Sequence, residues 1–203
     1  AAVPWPLDPQ HGFTHRIPES CFVWKAQAAV GQLEGLRVKI PGAQFDVSVL
    51  GDGFGTRTGA VTSWVRNSAQ VAAQLLGRFP VDRAQVLLVA DTRRSSFGLA
   101  LRGGGPTAVL LVPIAPSDDQ PAEDWTGVHE LLHFSHPPMA TAEAWFYEGV
   151  VTYLPPVARA RAGDHTEEAA WTELFDGYHR GHHRSGTGLP LHEESRRMHE
   201  TRA

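Results

Sequence analysis

The chain has 203 residues, 42% apolar and 20% charged, which is ordinary for one globular domain or one domain with a small appendage. The formal net charge of −4 offers no basic surface for nucleic acid, and no apolar run reaches the ~18–20 residues that a membrane span needs. Cys21 is the only cysteine, so a disulfide within the chain is excluded and the redox compartment stays open.

The N-terminal third predicts strand-like structure followed by a helix. Residues 1–40 are rich in proline and aromatic side chains and predict irregular, strand-like structure, whereas residues 45–50 alternate as a strand does. The glycines of residues 51–55 predict a plain loop, because neither a Gly-Lys-Ser/Thr sequence nor the dinucleotide spacing of glycines is present. Residues 59–79 carry apolar side chains at spacings of three and four, which predicts an amphipathic helix.

Two short apolar runs follow that helix, at residues 84–90 and 107–114. Both are rich in Val and Leu and bounded by Gly and Pro, so they predict strands with a glycine turn at residues 103–106 between them. Residues 117–123 predict a polar linker.

The rest of the chain predicts helices only. The first covers residues 125–135 and ends at the Pro137–Pro138 pair, because proline cannot donate a helical hydrogen bond. The second starts near Thr141 and ends before the Pro155–Pro156 pair. Strands followed by helices predict an α+β architecture, with an N-terminal sheet part and a helical part after it.

A third helix is predicted from Asp164, because residues 164–167 have the spacing of a capping box. The last segment, residues 190–203, also predicts a helix. Five residues are expected to form the buried face of the third helix: Ala170, Trp171, Leu174, Phe175 and Tyr178.

A metal motif stands in the first of these helices, where residues 129–133 read His-Glu-Leu-Leu-His. Side chains four apart share one helix face with Cβ atoms about 5–6 Å apart, so His129 and His133 can both bind one zinc ion. Glu130 is then placed to take a proton from a zinc-activated water. The two leucines are expected to face the core, and His136 to be a cap or rim residue. The alternative is a partly exposed helix with two surface histidines.

The predicted third ligand is Glu148, which lies in the sequence Ala-Trp-Phe-Tyr-Glu-Gly. A carboxylate among apolar neighbours is costly unless it is paired or binds a metal, and catalytic zinc commonly takes two histidines and one glutamate. A salt bridge is the alternative. Glu143 is a rival ligand, although it also suits the first turn of a helix. Thr152, one turn after Glu148, is a candidate to hydrogen-bond a ligand or an ordinary helix threonine.

A second group of histidines comprises His179, His182 and His183. It could hold a metal weakly. Because Arg180 and Arg184 are interleaved with these histidines, we favour a solvated loop.

The motif at residues 129–133, followed by Trp-Phe-Tyr-Glu-Gly at residues 145–149, resembles the gluzincin metallopeptidases. The closest likeness is to the glycyl-aminopeptidase family, whose second helix carries a Trp-Phe-x-Glu-Gly sequence. The likeness covers roughly residues 59–203, and residues 1–58 would form an N-terminal strand or irregular part. It implies a thermolysin-like catalytic domain with one zinc ion, and peptide hydrolysis by a zinc-activated water with Glu130 as general base.

Three features depart from that family. Only fourteen residues lie between His133 and Glu148, so the connection must be tight. Aminopeptidases of this type carry an acidic residue on the strand beside the cleft, but residues 97–105 contain none and Arg102 would repel a free amine. Tyr178 is expected in the core and not at the oxyanion, so the oxyanion-stabilising tyrosine would lie beyond residue 203 and the chain would be a piece of a longer protein.

These departures favour a competing hypothesis, a catalytically inactive peptidase-like domain that binds zinc or a partner. A peptidase acting on its own flanking segments is a third option. The expected partners are a peptide or protein substrate, which could pair with the strand at residues 107–114, and the missing flanking segments. Nucleic acid and membrane insertion by this segment are not expected. An exported or cell-envelope location is favoured over a cytoplasmic one.

Overall fold

A computed structural model describes residues 1–12, 14–51, 54–92, 95–114, 125–184 and 188–200. Two compact units make up the chain, Ala1–Phe134 and Ser135–Ala203. None of the helices within the described ranges has the length and apolar character that crossing a membrane requires. The predicted linker at residues 117–123 lies outside those ranges.

The first unit contains a five-stranded sheet in the order β1-β2-β3-β5-β4. Its strands are β1 (Leu33–Ile40), β2 (Ala43–Leu50), β3 (Arg83–Asp91), β4 (Phe97–Leu101) and β5 (Thr107–Pro113). β1 and β2 form an antiparallel hairpin, the β2–β3 and β3–β5 pairs are parallel, and β4 runs antiparallel to β5. The strands predicted at residues 45–50, 84–90 and 107–114 are confirmed. The predicted division at residue 58 stays a prediction about where the catalytic part begins.

The apolar runs of the sequence did not predict strand β4, and this strand changes which edge of the sheet can receive a peptide. β5 lies between β3 and β4, so its main-chain groups are already paired on both sides. The prediction that residues 107–114 offer an edge to a peptide is therefore wrong. Within the described part of the chain, β4 is the outer strand on that side of the sheet.

The helix predicted at residues 59–79 is confirmed as α1 (Thr58–Leu76), which connects β2 to the parallel strand β3. One face of α1 is a buried apolar stripe, which includes Val61, Trp64, Val65, Ala69 and Ala72. The helix ends at Gly77, whose φ of 80° is the left-handed conformation that glycine adopts without a steric penalty.

Three buried phenylalanines connect the sheet to the segment that follows α2 (Thr126–Leu132). The Phe45 and Phe79 ring centroids lie 4.8 Å apart, and those of Phe79 and Phe134 lie 6.1 Å apart, both pairs edge to face. Each such pair contributes about 0.5–1.5 kcal/mol beyond its buried area. Phe134 belongs to a 3-10 turn, His133–Ser135, that directly continues α2.

Gly127 allows α2 to approach α1 closely. A Cβ atom at Gly127 would lie 2.5 Å from Ser68 Oγ and 2.9 Å from Trp64 Cζ2, both on α1 and both distances too short for real contacts. The glycine is therefore required by the packing of the two helices and not by its backbone conformation.

Gly127→Ala is expected to lower the free energy of unfolding by about 1–3 kcal/mol, because an added methyl in a tightly packed interface forces neighbours apart. Denaturant unfolding of the metal-free protein measures this change. Gly59→Ala is the matched control, since Gly59 lies in the first turn of α1 with no atom within 4 Å of an added Cβ. Equal unfolding free energies for the two variants would contradict the packing argument.

The second unit is helical, with α3 (Ala144–Ala162), α4 (Glu167–Arg184) and α5 (Leu191–Glu200). The prediction that the second helix ends before the Pro155–Pro156 pair is wrong, because α3 continues through both prolines to Gly163. Its buried residues Val151, Pro155 and Ala158 form one continuous stripe across the prolines. Packing of that stripe offsets the loss of the proline N–H groups.

Two predictions about α4 are also wrong. The helix is capped by Thr166 and not by Asp164, since the Ala169 N–H donates to Thr166 Oγ1 at 3.1 Å. The predicted buried face is largely exposed: Ala170 is buried, but Trp171, Phe175 and Tyr178 are 67%, 63% and 69% exposed. The apolar spacing predicts which side chains share a helix face, but it does not show whether other residues pack against that face.

Candidate metal centre

The helix predicted at residues 125–135 is confirmed, and it brings His129, Glu130 and His133 together within the first unit. Leu131 and Leu132 are fully buried, as predicted, so they fix the helix against the core and leave the histidines on another face. The Trp125 indole and the His129 ring pack edge to face, with centroids 4.9 Å apart.

The two imidazoles are arranged as a pair of ligands to one ion would be. Their ring centroids lie 5.0 Å apart, and each histidine is 8% exposed. Nitrogen ligands one helical turn apart suit zinc, which binds histidine at about 2.0–2.1 Å. The donor chemistry and the spacing of His129 and His133 therefore fit a zinc ion, and the alternative of two surface histidines does not agree with their burial.

The carboxylate of Glu130 is buried, which is unusual for a charged side chain. The residue is 5% exposed, and its Oε1 lies 4.0 Å from Nε2 of His129. Burying a carboxylate is costly without compensating interactions, and sites where that cost is accepted are frequently functional. Glu130 also lies against the backbone of Gly98 in β4.

Glu148 and Thr152 lie in the second unit, one helical turn apart on α3. Glu148 is exposed, and its neighbours Trp145 and Phe146 are partly exposed as well. Glu148 is thus not enclosed by apolar side chains as the sequence suggested, although it lies one helical turn from the buried residues Ala144 and Val151. Since Glu148 belongs to the second unit, its convergence on the two imidazoles is part of the proposal below.

The rival ligand Glu143 is the N-cap residue of α3. A carboxylate there is favoured by the helix dipole, and this agrees with the structural role that the sequence allowed for it.

Two contacts at the start of α3 were missed by sequence reasoning. The backbone N–H of Trp145 donates to the buried Ser195 Oγ at 2.8 Å, so α5 satisfies one of the unpaired N–H groups at that helix end. The His136 ring stacks on Tyr147, with centroids 5.4 Å apart. These contacts join residues far apart in sequence or of no obvious pattern, so no local signal could have revealed them.

The second group of histidines, His179, His182 and His183, lies on α4 and not in a loop, which corrects that prediction, although the three side chains are solvated as expected. The rings of His179 and His183 lie 6.1 Å apart on one exposed face. Tyr178 is exposed as well, so its predicted place in the core is wrong.

Similarity to known proteins is visible in the fold and not in the sequence. No family model matches the chain, and no curated protein matches it. An aminopeptidase N family protein from Idiomarina loihiensis superposes with a TM-score of 0.52 and 16% identity, covering 69% of this chain and 27% of that one. An M1 zinc metallopeptidase from Deinococcus radiodurans superposes with a TM-score of 0.50 and 18% identity, covering 80% and 35%.

The chain spans about a third of the length of these solved structures. Identities of 16–18% are low enough that the likeness concerns the fold alone. The predicted α+β architecture, with a sheet followed by helices, is confirmed by the element order of the chain. The chain therefore has an α+β fold similar to that of part of the M1 zinc metallopeptidases.

Proposed function

We propose that this chain is a zinc-dependent metallopeptidase that binds one zinc ion through His129, His133 and Glu148 and uses Glu130 as its general base. The observation that carries the proposal is a carboxylate buried beside two imidazoles on one helix, in the fold of a zinc metallopeptidase. A structural helix has no need of three buried polar side chains on five consecutive residues.

The ligand set follows from the chemistry of catalytic zinc. Such sites take three protein ligands and keep one position open, and two histidines with one glutamate is a common set. His129 and His133 supply the nitrogens. Glu148 supplies the carboxylate in this proposal, and Thr152, one turn further along α3, would hydrogen-bond that carboxylate and orient it.

The reaction is hydrolysis of a peptide bond. Zinc, when bound, acts as a Lewis acid on the scissile carbonyl and lowers the pKa of a water molecule. Glu130 accepts the proton that the attacking water loses and passes it to the leaving amine. Its burial beside the strand backbone and His129 limits the positions that its carboxylate can take.

An extended peptide would pair with the outer strand β4, and not with β5 as the sequence suggested. β4 contains no acidic side chain, and Arg102 follows it directly. A substrate with a free amine at this position would meet a cation, so we propose that aminopeptidase specificity is absent. An exported or cell-envelope location stays a prediction.

Zinc analysis and a peptide library test the proposal together. We expect purified protein to contain about one zinc ion per chain, chelation to abolish cleavage, and added zinc to restore it. Cleavage that persists in metal-free protein would refute the hydrolytic mechanism. One bound zinc ion without cleavage of any library member would instead identify an inactive, peptidase-like zinc-binding domain.

A further inference from the structure

The outer strand β4 contacts Glu130, the proposed base, at Gly98. The φ of Gly98 is not in the left-handed region, so the backbone conformation does not require glycine there. A Cβ atom at Gly98 would lie 2.5 Å from Cδ and 2.6 Å from Oε1 of Glu130, and nearer still to Cγ. Contacts below 3.0 Å are essentially never found for real Cβ atoms. A side chain at residue 98 and the observed position of Glu130 therefore exclude each other.

The residues around Glu130 leave little space into which its side chain could move. Its carboxylate lies close both to the Gly98 backbone and to the imidazole of His129, whose Nε2 is 4.0 Å from Oε1. The residue is 5% exposed, so solvent occupies very little of its surface. A methyl group at residue 98 must push the carboxylate out of place or push β4 away from α2.

We infer that Gly98 is a positioning residue whose lack of a side chain fixes the carboxylate of Glu130 beside the two histidines. Misplacing a catalytic group by about 1 Å can cost about 100-fold in rate, so the effect on turnover should be large. The catalytic meaning of this inference rests on the proposed function, whereas the contact itself does not.

The test compares Gly98→Ala with Gly35→Ala as the matched control. Gly35 lies in β1 of the same sheet, also without a positive φ, and has no atom within 4 Å of an added Cβ. We expect Gly98→Ala to bind one zinc ion per chain but to lose about 100-fold in kcat with little change in KM. Gly35→Ala should match the wild type in all three quantities. Wild-type kcat in Gly98→Ala overturns the inference.

A second measurement needs neither metal nor substrate. In metal-free protein, Gly98→Ala is expected to lower Tm by about 2–10 °C. The same substitution in a Glu130→Ala background should cost much less, because the methyl group then fills the space that the glutamate leaves. An equal change in Tm in both backgrounds, including no change in either, overturns the inference.

The two arms separate this inference from the proposed function. A wild-type protein that binds zinc but cleaves nothing defeats the proposed function. The Tm comparison would still report whether Gly98 and Glu130 compete for one space.

Discussion

Replacing Glu130 by Gln is expected to lower kcat by about 10²–10⁴-fold while one zinc ion per chain remains bound. Glutamine has nearly the same size and shape, so it occupies the buried space beside His129 and Gly98 without opening a cavity. It cannot accept a proton at neutral pH, and the attacking water therefore keeps both of its protons. Zinc content and steady-state kinetics on one cleaved peptide measure the two effects.

Glu168→Gln provides the matched control for that experiment. Glu168 is an exposed residue in the first turn of α4, and the same change of charge there should leave kcat as it is. If Glu130→Gln cleaved peptide at the wild-type rate, Glu130 would not be the base. A loss of zinc in that variant would also contradict its assignment as a residue that acts on water and not on the metal.

Replacing Glu148 by Gln is the second change with a large expected effect. Loss of a charged ligand should weaken zinc binding by more than about 100-fold, since removal of a partner that only orients a ligand already costs 10–100-fold. Cleavage should fall in parallel at limiting zinc. Competition for zinc with a chelating dye of known affinity measures the change, because the readout does not depend on turnover.

Glu143→Gln is the informative partner of that variant, because Glu143 was the rival ligand and lies five residues earlier on the N-cap of α3. We expect it to retain wild-type zinc affinity and to lose up to about 1 kcal/mol of stability through the helix dipole. The reverse pattern, with weak zinc binding in Glu143→Gln and normal binding in Glu148→Gln, would transfer the ligand role to Glu143.

The histidine helix could be predicted because its signal is local. Two histidines four residues apart, a glutamate between them and two leucines specify a helix, a metal face and a buried face from five letters. The structure confirms the helix and its buried face: both leucines are fully buried, and the ring centroids of His129 and His133 lie 5.0 Å apart. The metal face stays a prediction. Helix α1 and strands β2, β3 and β5 were predictable for the same reason, since the spacing or the continuous run of apolar residues within each segment is itself the signal.

The features that the sequence did not predict depend on tertiary contacts, that is, on which other elements pair with or pack against a segment. Strand β4 contains Gly98 and Ala100, which have weak strand propensity, and it forms because β5 pairs with it. The exposure of Trp171 and Phe175 depends on which surfaces pack against α4, and the helical period says nothing about that. The two prolines of α3 are tolerated because a buried stripe outweighs their local cost.

The three phenylalanine rings at residues 45, 79 and 134 have a consequence for how far the unit Ala1–Phe134 can be shortened. His133 is followed directly by Phe134, and that ring rests on Phe79, which rests on Phe45 in β2. The position of His133 therefore depends on β2, a strand that precedes it by more than eighty residues. A shortened chain without β2 would retain the histidine motif in its sequence. It would lose the ring packing of Phe45 on Phe79 and, through it, the packing that positions Phe134 and the adjacent His133.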